Sequence, residues 1–285
     1  MRKSLIFMAS SLLLTVLPAH AQLGLGLVPM RAELKMAPGQ VYSGSLKLSN
    51  ESGEKTRVRS EVLDFNVGDK TTPQFERDLP EEAAVSCKKW LSLNPMEIEM
   101  EKSGFMNVRY TFRLPADLPE GSYECAAGFT TLPTATQDNP GMAMRMAVRI
   151  VTAFYIVIGA PPVHGTIKGL KLETEPALPP PPKGKDDAEE PMTSAPAWQV
   201  VVVMENQGKM YYRPTGKVEL LDAQGKTIET VDLPSLPVLR EREQRFVLPL
   251  KTALDPGGHY LLRARVDIGT GAILEGSLDV GPAGQ

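Results

Sequence analysis

Cys87 and Cys125 are the only cysteines in this 285-residue chain. In an oxidising compartment a lone pair of this kind reads as one disulfide, the alternative being two buried free thiols. Closing a loop of that length stabilises by roughly 4 kcal/mol in the chain-entropy model. A zinc site lacks ligands, because His20 falls in a leader and His164 and His259 are remote from both cysteines with no ligand spacing. Carboxylates are plentiful but scattered over strand edges and loops, where they are solvated surface rather than acid/base pairs. The chain has no phosphate-cradling glycine loop, metal-binding helix or nucleophile elbow, and Gly24-x-Gly26 has no strand before it. The expectation is a protein that is not an enzyme and has no cofactor or metal.

The most informative spacing is of another kind. From Met142 to Ile158 one face carries Met142, Met144, Met146, Val148, Ile150, Thr152, Phe154, Ile156 and Ile158. The other face carries Ala143, Arg145, Ala147, Arg149, Val151, Ala153, Tyr155 and Val157. A two-residue period is that of a β-strand, and this one far exceeds the usual five or so residues. From Val151 onward both faces are apolar, as in a strand buried on both sides. The first segment carries an apolar stripe that its own domain need not cover. Such a stripe is either shared with a partner, where methionine adapts to varied pockets, or is the inner face of the domain's own last strand.

The elements that position these residues begin after a leader. Arg2 and Lys3, the apolar run Leu5 to Leu17 and the small-x-small Ala19-His20-Ala21 form an export signal over residues 1–21, the alternative being an uncleaved anchor. No later segment could insert stably in a bilayer. Cleavage moves the formal net charge from −3 to about −5. A mildly acidic chain without a basic block argues against nucleic acid as a partner.

Short alternating runs then follow, separated by turn residues such as Pro38-Gly39, Asn94-Pro95 and Pro119 to Gly121. Strands are expected at Leu27–Met36, Val41–Asn50, Thr56–Phe65, Trp90–Leu93, Glu97–Glu101, Asn107–Leu114, Ser122–Leu132 and Met142–Ile158. Glu81 to Lys89 could make one or two helical turns. Ala160-Pro161-Pro162 marks a boundary, and seven further strands follow between Thr166 and Val280. The fold class is all-β, two immunoglobulin-like sandwiches in tandem, over residues 22–160 and 161–285. The second is interrupted at 176–196, where the prolines Pro179 to Pro182 and the charged tract Lys183 to Glu190 read as a surface loop. Trp90, three residues after Cys87, is expected to pack near the disulfide. Asn50-Glu51-Ser52 fits a glycosylation sequon but reads as a strand-end turn.

Arg31-Ala-Glu-Leu34, Gly44-Ser-Leu-Lys-Leu-Ser-Asn50 and the strand containing Ala153-Phe154-Tyr155 resemble the periplasmic pilus-assembly chaperones of the chaperone–usher systems. The resemblance implies a periplasmic protein of two immunoglobulin-like domains set as a boomerang. Its partners would be protein subunits of a pilus or surface structure and an outer-membrane usher. It also implies that Arg31 lies in a cleft and holds a partner's terminal carboxylate. Met142, Met144, Met146, Val148 and Ile150 would fill the partner's groove. Where that family has a cleft lysine this chain has Thr152, with Arg149 as the nearest substitute. The family's usual Arg-Pro is replaced by Ile156-Val157-Ile158. Trp90-Leu-Ser-Leu-Asn-Pro95, Pro119-Glu-Gly-Ser-Tyr123 and Arg213-Pro-Thr-Gly216 are similar to a wider group of paired-module envelope proteins. The second expectation is therefore a non-catalytic structural or binding module of the bacterial envelope.

Overall fold

The computed structural model describes residues 24–67, 72–80, 84–132, 147–174 and 197–281. The expected leader 1–21, the expected surface loop 176–196 and the stripe residues Met142, Met144 and Met146 lie outside them. Ten strands come first: β1 (Leu25–Val28), β2 (Arg31–Met36), β3 (Val41–Asn50), β4 (Thr56–Asn66), β5 (Gln74–Glu76), β6 (Leu91–Asn94), β7 (Glu97–Met100), β8 (Phe105–Arg113), β9 (Gly121–Leu132) and β10 (Arg149–Ile158). They form one sheet in the order β1-β3-β8-β6 and another in the order β2-β10-β9-β4-β5, with β7 also on β4.

Seven follow: β11 (Gly165–Thr174), β12 (Trp198–Asn206), β13 (Thr215–Asp222), β14 (Thr227–Asp232), β15 (Glu243–Pro249), β16 (Tyr260–Asp267) and β17 (Ile273–Val280). These make the sheets β11-β12-β15 and β14-β13-β16-β17. Among the described residues none of the first ten strands pairs with any of the last seven, so the chain is two sandwiches.

Three expectations need correction. The single strand Leu27–Met36 is two, because Pro29 has no N–H to give a ladder. β1 lies antiparallel on β3, while β2 crosses to the other sheet and lies parallel on β10. Of Glu81 to Lys89, the described part is helical only in a 3-10 turn at Lys88–Trp90. The long strand begins at Arg149, not Met142, as far as it is described. Val148 precedes it, exchanging 2.9 Å hydrogen bonds with the hydroxyl and the backbone N–H of Thr131.

Alternation builds both cores. In the first sandwich Leu46, Leu48, Val108, Phe112, Phe129, Phe154 and Ile156 are fully buried. Each such side chain removed from water stabilises by about 1.5–3 kcal/mol. The Cys87–Cys125 disulfide lies in this core with Cα atoms 5.2 Å apart, and Trp90 packs edge-on to Tyr123 at 5.1 Å beside it. In the second sandwich Val200, Val202, Met204, Leu220, Phe246 and Leu262 do the same work.

A buried asparagine ends one strand in each sandwich. Asn50 donates to the carbonyls of Glu54 (2.7 Å) and Glu101 (3.1 Å) and accepts from Ser52. Asn206 donates to Met210 (2.8 Å) and Val238 (3.2 Å) and accepts from Gly208. The sequon is therefore a strand-end turn, its side chain consumed by buried backbone.

Candidate partner-binding cleft

β10 has one fully paired edge and one half-paired edge. β9 runs antiparallel along all of it, from Arg149 opposite Thr130 to Ile158 opposite Gly121. β2 joins only at Ala153, opposite Arg31, and continues to Ile158 opposite Met36. From Arg149 to Thr152 that second edge has no strand partner among the described residues. The Ala153 N–H donates across to the Met30 carbonyl at 3.0 Å. Backbone groups alternate sides along a strand, so those of Val151 and Arg149 point the same way, into the open edge. Unpaired edges of this kind accept another chain's backbone readily. Thr152 is buried, and its hydroxyl donates to the Pro29 carbonyl at 2.7 Å, tying the strand to the crossing chain.

The two faces of β10 serve two cores. Thr152, Phe154, Ile156 and Ile158 face the first sandwich, with Ile150 half-buried at its margin. Tyr155 and Val157 face the second sandwich and pack with Phe65, Val67, Tyr211 and Leu239. Burial on both sides, expected from Val151 onward, is present from Phe154 onward, where the second sandwich supplies the cover; Val151 and Ala153 are only partly buried. Polar contacts close the same seam. The Ser122 N–H donates to the Lys209 carbonyl (2.8 Å), and the Tyr211 N–H to the Ser122 hydroxyl (3.0 Å). Arg240 reaches the Ser122 carbonyl at 3.3 Å from above the Tyr123 ring.

Beside the open edge lies a cleft of about 490 Å³ between the sandwiches. Phe65, Phe75, Tyr155 and Leu236 give it an apolar wall, and Arg31, Arg149 and Arg213 line it, with no acidic residue among the lining side chains. The three arginines have different partners. Arg31 Nε lies 3.3 Å from Glu33 Oε1, both half-exposed. Arg149 reaches Glu61 at 3.4 Å, and also the Phe75 carbonyl and the Thr130 hydroxyl at 3.3 Å each. Arg213 donates to the Tyr155 hydroxyl (2.9 Å) and the Ser235 carbonyl (3.0 Å). Burial pushes the phenols of Tyr155 and Tyr211 well above their ordinary range, and a hydrogen bond to Glu33 raises Tyr211 further.

Of the residues expected to meet a partner, the fold brings Arg31, Arg149 and Ile150 to this cleft. Val148 is half-buried just before β10. Tyr155 and Arg213 also line the cleft, and Tyr211 packs on Tyr155 beside it; sequence reasoning assigned none of the three to a site. Arg213 sits 58 residues from its Tyr155 partner, so no local pattern links them. The only available sign was Arg213-Pro214 in a turn between strands.

A second polar cluster braces the disulfide loop. Buried Asp64 accepts from the Ser86 hydroxyl (2.6 Å), the Leu79 N–H (3.0 Å) and the Lys88 ammonium (2.8 Å). Lys88 also reaches Asp78 at 2.8 Å. Burial works against the Asp64 charge, but the bonds from Lys88, Ser86 and Leu79 outweigh it and hold the carboxyl below its ordinary value. Among the described residues no group of His, Cys, Asp and Glu could hold a metal ion.

The fold and cleft define a class: paired immunoglobulin-like sandwiches with a half-open strand beside the seam. No protein-family model matches the chain, and no curated protein matches it. Solved structures similar to it include the Salmonella enterica SafB chaperone in complex with the SafA pilin, at 14% identity and a TM-score of 0.42 over 90% of this chain and 96% of that one. The E. coli chaperone DraB is similar at 13% identity and a TM-score of 0.40 over 90% of this chain and 97% of that one. The Pseudomonas aeruginosa CupB2 chaperone is similar at 14% identity and a TM-score of 0.39 over 87% and 97%.

Proposed function

We propose that this protein is an exported, periplasmic chaperone-like protein that binds subunits of a pilus or surface structure by sharing its long strand. The observation that carries the reading is the unpaired edge of β10 from Arg149 to Thr152, opening beside a cleft with three arginines. An extended partner segment would pair its backbone with Val151 and Arg149, while alternate side chains of residues 142–150 fill the partner's open groove. Arg31 stands at the start of β2, where the open edge ends, in place to receive a terminal carboxylate of that segment. An usher would receive the loaded protein. No cofactor or metal is required.

The test is co-expression with an immunoglobulin-like subunit that lacks one strand, followed by size-exclusion chromatography. The wild type should form a one-to-one complex. Met146→Asp should keep its melting temperature and lose the complex, because a carboxylate stays hydrated in the free protein but is buried unpaired in a groove. If the wild type forms no complex and Met146→Asp unfolds at a much lower temperature, the stripe is core. The protein is then a plain envelope module.

A further inference from the structure

The two outward faces of the first sandwich carry their charge in opposite ways. On the β4–β7 side each cation has its own counter-charge. Arg57 and Arg59 lie 3.5 and 3.3 Å from Glu97, and Lys55 reaches both Glu99 and Glu101. On the outer face of the β1-β3-β8-β6 sheet Lys47, Arg109 and Arg113 stand exposed, and none of them makes an ion pair among the described residues. Register puts all three on one face. Lys47 is opposite Asn107 on β8, and Arg109 and Arg113 follow on the same alternation, so the cations spread over roughly 20 Å of strand. No strand residue that shares this face is acidic. Glu51, one residue beyond β3, stands at the Gly26 corner, where it accepts from the Ser49 hydroxyl at 3.4 Å. In a chain of net charge −3, a segregated positive face of this kind concentrates anions.

The ground between the cations is polar and low. Arg109 has Ser45 opposite it on β3 and Asn94 opposite it on β6. In the next row the hydroxyls of Ser43 and Thr111 share a 2.8 Å hydrogen bond, with Ser92 opposite Thr111. Two apolar residues stand at one end. Val28 is 66% exposed, and Phe105 is 60% exposed with the Lys47 ammonium 4.6 Å from its ring centre. A protein interface has an apolar centre and a polar rim, which is the reverse of this face. A lipid contact needs a continuous apolar face, which hydroxyls and amides interrupt here. Hydroxyls and amides both donate and accept, as sugar hydroxyls do. We propose that this face docks a linear acidic polysaccharide along its strands. The carboxylates or phosphates of the glycan meet Lys47, Arg109 and Arg113, the amides of Asn94 and Asn107 bond its hydroxyls, and one sugar ring lies on Phe105. The proposal is independent of strand sharing, because β10 belongs to the other sheet.

The test uses the full chain with two matched pairs of glycans, octagalacturonate against its methyl ester and dextran phosphate against plain dextran. Calorimetric titration at low ionic strength should show at least one acidic glycan binding roughly tenfold or more tightly than its neutral counterpart, and which pair responds tells carboxylate from phosphate. The triple variant Lys47→Ser, Arg109→Ser, Arg113→Ser should bring that pair to parity. Phe105→Ser should weaken the acidic glycan by roughly three- to tenfold, the range for one aromatic contact. Arg57→Ser, on the self-paired face, should leave the affinity unchanged. Should the triple variant fail to fold, the side-chain amide resonances of Asn94 and Asn107 still report in the wild type, and they should shift with the acidic glycan and not with the neutral one. Parity within both pairs in the wild type overturns the proposal, as does a preference that survives the triple substitution. Binding to phosphatidylglycerol vesicles without binding to either acidic glycan overturns it in favour of a lipid surface. Polyglutamate that binds as tightly as the acidic glycans overturns it in favour of an acidic protein.

Discussion

The Tyr155 ring on β10 and the Tyr211 ring of the second sandwich stand 4.5 Å apart between centroids, tilted by 33°. Through this pair one strand is the inner wall of both the first core and the seam. The pair also stands beside the cleft arginines, since Tyr155 accepts from Arg213, and Glu33, the partner of Arg31, helps to raise the Tyr211 phenol.

Removing the Tyr211 ring should uncouple the sandwiches. Tyr211→Ala leaves a cavity against Tyr155, at a cost of about 3 kcal/mol by analogy with buried aromatic deletions. Scanning calorimetry should show a single transition in the wild type splitting into two. A single transition at an unchanged temperature would mean that the seam contributes nothing.

Arg31→Ala should barely affect folding, because a half-exposed ion pair is worth less than about 1 kcal/mol. It should weaken capture of a strand-deficient subunit measurably, by up to roughly 2–5 kcal/mol if the charge is fully enclosed in the complex. Equal complex formation by wild type and variant in a titration would remove Arg31 from the site.

Asp64 predicts how stability changes in acid. Its carboxyl is held below the ordinary value in the folded state, so the stabilisation is complete above the unfolded pKa of about 3.9. It is lost as pH falls through the lower folded value. Asp64→Asn should lower the melting temperature at pH 7 and narrow the gap to the wild type as the pH falls below 4. A gap independent of pH would show that the Lys88 pairing does not stabilise the fold.

Reduction should have a large effect. The disulfide closes 38 residues of sequence separation, and the chain-entropy model assigns such a loop roughly 4 kcal/mol. Unfolding in urea with and without reductant measures the difference. Midpoints that agree would indicate a reduced chain already constrained by its core.

Much of the fold was legible because strand periodicity is a local property. β3 occupies Val41–Asn50 as its alternation and flanking turns require, and each strand of the second sandwich lies within a residue or two of its apolar run. β5 was missed because three residues around Phe75 are too few to show a period. The division of Leu27–Met36 turned on one missing N–H at Pro29, a boundary that the apolar pattern does not mark. In the site, Arg31 was found through resemblance and β10 through its length. Arg213 and Tyr211 were not found, because their positions depend on how two separately folded cores meet.

The late arrival of β2 gives the open edge a finite length. A segment lying beside Arg149 to Thr152 meets Met30 and Arg31 end-on, since β2 occupies the lane from Ala153 onward. The chain crossing at Pro29 is therefore an end stop. Under the strand-sharing proposal it would fix how far a guest strand can slide, so that register would be measured from the guest's terminus without reading its side chains. Subunits unlike in sequence but alike in where they end would all seat at the same depth.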